Sequence, residues 1–134
     1  MGLIKAMAEL KNPHYANALI DAIGVEIGNH CQGNLRRVAA CALGDINWNE
    51  RLSSDSLHAV SNKLEWTLRS PEDWGLRYSA CLALEGIGIA NSIELLSEAK
   101  AKETDPVLSA RLDNAILKSK NKTSIQQIKN KNGF

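Results

Sequence analysis

The sequence predicts an all-α protein built from antiparallel helix pairs that stack on one another, and three observations support this. Alanine and leucine are abundant whereas aromatic residues make up only 4% of the 134 residues. That composition favours helices packed through small side chains over a β-sandwich, which usually needs aromatic and β-branched strands. One stretch of the chain repeats itself further on, and helix start signals recur along the chain.

The repeat aligns residues 35–43 with residues 76–84, at an offset of 41 residues. Both copies follow the pattern Leu-Arg-x-x-Ala-x-x-Ala-Leu. Alanines three residues apart lie on one face of a helix, so a second helix can approach that face closely. A weaker third copy covers residues 108–116. A period near 40 residues with two helices in each unit is typical of a HEAT-like α-solenoid.

Start and stop signals divide the chain into seven predicted helices. Asn12, Ser70 and Asp105 each precede a proline, which is the pattern of an N-cap residue followed by proline at the first helical position. Glycines at positions 24, 28, 86 and 88 indicate helix ends. The predicted helices cover residues 3–10, 13–24, 34–44, 54–69, 71–86, 91–102 and 106–118.

The chain divides into a repeat domain over residues 1–118 and a tail over residues 119–134. The tail carries lysine, asparagine and glutamine with few apolar residues. Such a segment has little apolar surface to bury, so the sequence predicts that it is disordered.

Composition also excludes several classes of function. A net charge of +1 gives the molecule no general attraction for nucleic acid or for an anionic membrane. No apolar run approaches the roughly 20 residues that a membrane span needs. Three irregularly spaced cysteines form neither a disulfide framework nor a zinc site. We therefore expect a cytoplasmic protein in a reducing compartment, without nucleic acid, membrane insertion, metal or tightly bound cofactor.

Chemistry is concentrated in the segment Asn29-His30-Cys31-Gln32-Gly33-Asn34, which precedes the helix that begins Leu35-Arg36-Arg37. A thiol at a helix N-terminus has a lowered pKa, since the helix dipole and the two arginines stabilise a thiolate. Imidazole is the side chain best suited to carry protons near neutral pH. Cys31 is therefore the candidate nucleophile and His30 the candidate proton carrier. The alternative for His30 is a loop residue that caps a carbonyl.

Other residues have a structural and a functional interpretation. Arg36 and Arg77 occupy the same repeat position, where arginine either makes hydrogen bonds between repeats or holds a carboxylate. Arg37 is replaced by Tyr78 in the second copy, which leaves Arg37 freer to serve a site.

Two tryptophans and the other two cysteines can also be interpreted from their positions in the predicted turns and helices. Trp48 and Trp74 lie in predicted turns, where an indole either covers the core or stacks on a flat conjugated ligand. Cys41 and Cys81 lie within repeat helices, where free cysteine behaves as a small hydrophobe.

The repeat segments Leu35-Arg36-Arg37-x-Ala-Ala-x-x-Leu-Gly-x-x-x-Trp48 and Asp73-Trp74-x-Leu-Arg-Tyr78 resemble the repeats of the phycobilisome bilin lyases of the E/F type. These HEAT-like proteins attach open-chain tetrapyrroles to cysteines of antenna proteins. The resemblance extends from about residue 28 to residue 117. The segment 29–34 is similar to the motif of the F-type subunits that isomerise the bilin, where the His and the Cys carry the isomerisation.

The resemblance implies a lyase-isomerase subunit that works in a heterodimer with an E-type subunit. Its substrate would be a phycobilin, attached to a cysteine of a phycobiliprotein α subunit near the thylakoid phycobilisomes of a cyanobacterium. The double bond would shift as in phycocyanobilin to phycoviolobilin, or in phycoerythrobilin to phycourobilin. His30 and Cys31 would be catalytic. Residues expected to contact the bilin are Asn29, Gln32, Asn34, Arg36, Arg37, Asp73, Trp74 and Tyr78.

The alternative is a non-catalytic HEAT-repeat chaperone or adaptor for phycobiliproteins, which would bind an antenna subunit without chemistry. The chain is short for the family, whose members usually carry further repeats before the motif. Those repeats would supply part of the bilin pocket.

Overall fold

A computed structural model describes residues 2–24, 33–46, 54–70, 73–87 and 91–131 of the chain. Every regular element within these ranges is helical, and a 3₁₀ turn at Pro13–Tyr15 leads into the second α-helix. The α-helices are α1 (Gly2–Leu10), α2 (Ala16–Ile23), α3 (Gly33–Asp45), α4 (Ser54–Leu68), α5 (Trp74–Ile87), α6 (Ser92–Lys102) and α7 (Pro106–Lys131).

The helices form two layers. Helices α1, α3, α5 and α7 lie side by side in the first layer, and α2, α4 and α6 form the second. Each second-layer helix packs against the first-layer helix that follows it in the chain. The prediction of an all-α solenoid of helix pairs is thus confirmed, and its first layer aligns the two copies of the repeat in α3 and α5.

Contact between α3 and α5 depends on glycine. A Cβ added to Gly44 would lie 2.5 Å from the Cα of Ala83, and one added to Gly86 would lie 2.7 Å from the carbonyl oxygen of Gly44. Neither position can hold a side chain unless the backbones separate. Gly86 is the last residue but one of α5, so the predicted helix end is confirmed to within one residue. Its missing side chain also permits the close packing of the two helices.

The repeat pattern also accounts for the core. Equivalent residues of the two copies, Ala39 with Ala80 and Leu43 with Leu84, are completely buried. Cys81 is completely buried as well, and burial raises the pKa of its thiol to about 12. The prediction that Cys81 packs in the core is confirmed. The largest apolar side chains of the core are Leu19, Ile23, Leu43, Leu64, Leu76, Leu84, Leu96, Leu108 and Leu112.

Two of the three predicted helix starts are confirmed. The Asn12 carboxamide oxygen accepts a hydrogen bond from the His14 N–H at 3.0 Å, and the Asp105 carboxylate accepts one from the Leu108 N–H at 2.9 Å. The third start is displaced, because α5 begins at Trp74 rather than at residue 71. Asp73 takes the capping role and accepts from the Leu76 N–H at 2.9 Å.

The last helix is longer than the sequence predicted. α7 continues to Lys131, so the expectation of a disordered tail from residue 119 is corrected over residues 119–131. No glycine or proline interrupts residues 107–131, and lysine, glutamine, alanine and leucine all favour helix. The polar composition of this segment therefore did not indicate where the helix ends. No helix within the described ranges is both long and apolar enough to cross a membrane.

Candidate functional site

The N-terminal ends of α3 and α5 lie next to each other. Arg37 on α3 donates from Nε and Nη2 to Asp73 Oδ1, at 3.2 and 2.9 Å. Its side chain runs across Gly75, where an added Cβ would lie 2.4 Å from Arg37 Nε. We name this region the α3–α5 edge and define it by Asn34, Arg37, Asp73, Trp74 and Tyr78.

The contact changes the interpretation of two predicted site residues. The sequence predicted Arg37 and Asp73 as separate contacts of the bilin and did not predict that they pair with each other across the repeat boundary. Sequence spacing could not show this, since 36 residues separate the two partners.

The carboxylate of Asp73 is held in its ionised form. Burial would raise the pKa of this carboxyl, but hydrogen bonds from the Leu76 N–H and from Arg37, with the charges of Arg37 and Arg36, lower the pKa below its ordinary value. One oxygen of Asp73 thus caps α5 and pairs with α3. An ionised carboxylate in a fixed position therefore lies at the adjacent N-terminal ends of α3 and α5.

Two aromatic side chains flank that anion. The rings of Trp74 and Tyr78 stack with centroids 5.4 Å apart and planes inclined by 28°. Trp74 lies in the first turn of α5 and is 41% exposed, so it does not cover the core as the structural alternative proposed. The α3–α5 edge therefore presents an exposed aromatic surface, which a flat conjugated ligand can stack on.

The predicted catalytic residues lie outside the described residues. These are His30 and Cys31, together with the predicted contacts Asn29 and Gln32. In the sequence Cys31 stands two residues before Gly33, the first residue of α3. Asn34 is exposed in the first turn of that helix. Trp48 also lies outside the described residues.

Arg77 has the structural role that its repeat position predicted. It donates to the Ser70 carbonyl at 2.9 Å and to both carboxylate oxygens of Glu103. Arg36 is 3% exposed and donates from Nε to the Ile23 carbonyl at 2.6 Å. Both arginines therefore fix the end of a preceding second-layer segment.

A cavity of about 380 Å³ lies between α4 and α6, with Arg77 of α5 also in its lining. Its apolar floor is formed by Leu68, Leu95 and Ala99, and charged side chains that include Arg69 and Glu98 surround it. The sequence did not predict this cavity, because its walls come from separate helices with no shared motif. No group of three or more potential metal-binding side chains occurs within the described ranges.

Comparison with known proteins gives consistent results, although no family model matches the chain. The chain is 37% identical over 110 residues to the bilin biosynthesis protein PecF of Nostoc sp., which covers 82% of this chain and 63% of that protein. It is 38% identical over 114 residues to PecF of Mastigocladus laminosus, covering 85% and 53% respectively. The chain thus spans between half and two thirds of the length of these relatives.

Fold comparison agrees with the sequence comparison. The complex of CpcE and CpcF of phycocyanin lyase from Nostoc sp. contains a chain that matches with a TM-score of 0.66 and 26% identity. The match covers 84% of this chain and 68% of that one. Sequence and fold therefore both agree with the resemblance to the E/F-type bilin lyases, with the PecF proteins among the relatives of this chain.

Proposed function

We propose that the chain is an F-type subunit of a bilin lyase-isomerase. The observation that carries the proposal is its 37% identity over 110 residues to a bilin biosynthesis protein. The exposed Trp74–Tyr78 stack at the start of α5 supports it, because a linear tetrapyrrole is flat and conjugated. The substrate is a phycobilin, of the phycocyanobilin or phycoerythrobilin type.

The reaction moves one double bond from the methine bridge between rings A and B into ring A. One proton is added at the bridge carbon and one is removed from ring A, so the reaction needs no oxidant or reductant. Cys31 as thiolate adds reversibly to the electrophilic bilin and interrupts its conjugation. His30 carries a proton between the two carbons. The thiolate leaves when the new double bond forms.

The α3–α5 edge holds the bilin during that step. The Trp74–Tyr78 stack covers one ring face. The ionised carboxylate of Asp73 accepts hydrogen bonds from pyrrole N–H groups, which suits its lowered pKa. Arg37 uses the outer side of its half-exposed guanidinium for a propionate. Asn29, Gln32 and Asn34 provide polar contacts around the motif.

An E-type lyase subunit and a phycobiliprotein α subunit are the proposed partners, and the cytoplasm beside the thylakoid phycobilisomes is the proposed location. The match to a chain of the CpcE–CpcF complex supports pairing with an E-type subunit. A single solenoid also leaves its end helices open to a second solenoid.

Coexpression tests this proposal. The chain is produced with an E-type subunit, an enzyme system that supplies phycocyanobilin, and candidate acceptor subunits. We expect a covalent bilin adduct whose absorbance lies at shorter wavelength than that of the unmodified bilin adduct, because the conjugated system is shorter. Binding of the acceptor without any chromophore change would contradict the proposal and support a non-catalytic adaptor.

A further inference from the structure

Arg36 and Arg77 occupy the same position in the two repeats but have different partners. Arg77 donates from Nε and Nη2 to the two carboxylate oxygens of Glu103, at 3.1 and 3.3 Å. Only 7% of the Glu103 side chain is exposed. The second repeat therefore supplies its arginine with a partly buried carboxylate in bidentate geometry.

In the first repeat no such carboxylate is present among the described residues. Arg36 is 3% exposed, and its one hydrogen bond there runs from Nε to the Ile23 carbonyl. Its Nη2 is buried and has no hydrogen-bond partner in the described part of the chain. A buried donor without an acceptor is unfavourable by about 1–3 kcal/mol, and more when it is charged. The free nitrogen thus indicates a position for an acceptor.

A second cation lies beside Arg36. Lys63 on α4 donates to the Gly24 carbonyl, the next one along the chain after Ile23. Its ammonium also lies 4.0 Å from the ring centroid of Trp66. Burial lowers the pKa of Lys63, the charge of Arg36 lowers it further, and Asp21 raises it. No ion pair joins Arg36 or Lys63 to an acid within the described ranges.

We propose that Arg36 and Lys63 form a carboxylate-binding site at the C-terminal end of α2, which holds one propionate of the linear tetrapyrrole. This inference rests on the proposed function. One guanidinium nitrogen and one ammonium suit the two oxygens of a carboxylate, as Arg77 suits Glu103. Lys63 is a new residue of the site. Arg37 follows Arg36 directly and lies at the α3–α5 edge, so the site and the aromatic surface share one end of α3.

Bilin binding to the complex with the E-type subunit tests the site. Phycocyanobilin and its dimethyl ester, in which both propionates are masked, are titrated and followed by absorbance and tryptophan fluorescence. We expect the wild-type complex to bind the free acid about tenfold more tightly than the ester, the size of one charge-assisted hydrogen bond.

Two variants assign that preference to the site. Lys63→Gln removes one cation, and Lys63→Glu adds an internal carboxylate beside Arg36. Both are expected to lower the preference for the acid while ester binding is kept, and the preference that remains is that of Arg37 for the other propionate. Lys100→Gln on α6 makes the same charge change at a lysine paired with Asp113, and it should keep the preference. Thermal unfolding checks that each variant is folded.

The outcomes separate this inference from the proposed function. Equal binding of acid and ester by the wild-type complex would overturn the site, together with the Arg37 contact to a propionate, and leave the proposed lyase-isomerase activity standing. Failure to bind either compound would overturn both. Glu26, two residues after Gly24 in the sequence, is the acid of the chain that could compete for the site. If Glu26→Gln were needed before any preference appeared, the chain's own acid would be the occupant and the site would be structural.

Discussion

The two copies of the repeat, in α3 and α5, agree on their buried faces and differ at their N-terminal ends. Ala39 and Leu43 in α3 are completely buried, as are their counterparts Ala80 and Leu84 in α5. The ends differ in charge and in residue type. α5 starts with a capping carboxylate and an aromatic stack. α3 follows the His-Cys motif and carries Arg36, whose Nη2 has no hydrogen-bond partner among the described residues. The buried residues thus repeat, whereas the candidate functional residues differ between the copies either in identity or, for Arg36 and Arg77, in their partners.

The largest expected effect is on the free energy of unfolding, and it tests whether the buried faces of α3 and α5 stabilise the protein equally. Leu43→Ala and Leu84→Ala each remove a completely buried side chain and should destabilise the protein by about 2–5 kcal/mol. Chemical denaturation measures both. Leu117→Ala, at a side chain that is 58% exposed on α7, is the control and should change the unfolding free energy by no more than about 0.5 kcal/mol. A large effect of one core leucine and a negligible effect of the other would contradict the equivalence.

The two arginines should respond differently to the same substitution. Arg77→Gln leaves Glu103 partly buried without its partner, so we expect a loss of about 3 kcal/mol. Arg36→Gln leaves no described acid unpaired and should lose only about 1 kcal/mol. The unfolding free energies of the two variants provide the comparison. Equal losses would mean that Arg36 is neutralised within the folded chain.

Close approach of α3 and α5 is tested at Gly44. Gly44→Ala places a Cβ against the backbone of Ala83, and overpacking of this kind should destabilise the protein by about 1–3 kcal/mol although alanine favours helix. Asn114→Ala on the exposed face of α7 is the matched control and should not destabilise. A more stable Gly44→Ala protein would contradict the close contact.

The smallest effect concerns pH. Because the pKa of Asp73 is lowered in the folded state, its stabilisation is complete above its unfolded pKa of about 4 and is lost as the pH falls through the folded value. Asp73→Asn should therefore reduce stability at neutral pH by about 1 kcal/mol and weaken the decline below pH of about 4. Thermal unfolding over this range measures both effects. If Asp73→Asn and Asp113→Asn lost the same stability as the pH falls below about 4, this result would contradict the stabilising pair of Asp73 with Arg37.

The fold was largely predictable because the 41-residue repeat and the cap signals are local or periodic. The sequence predicted all five residues of the α3–α5 edge as bilin contacts. It did not predict the hydrogen-bonded pair of Arg37 and Asp73, because these two residues come together only when the repeats stack. Lys63 was missed for the same reason: nothing within α4 marks it, and its role depends on α2 and α3. The extent of α7 was misjudged, since polar composition was taken as a sign of disorder.

The proposed function requires that isomerisation of the bilin depends on the His30–Cys31 motif before α3. The most direct measurement is the absorbance spectrum of the acceptor after coexpression with either Cys31→Ser or Cys41→Ser, where Cys41 is a half-buried residue of α3. We predict that Cys41→Ser gives the shortened chromophore and that Cys31→Ser gives an attached bilin without the shift. A shifted chromophore formed by Cys31→Ser at the wild-type rate would contradict the account.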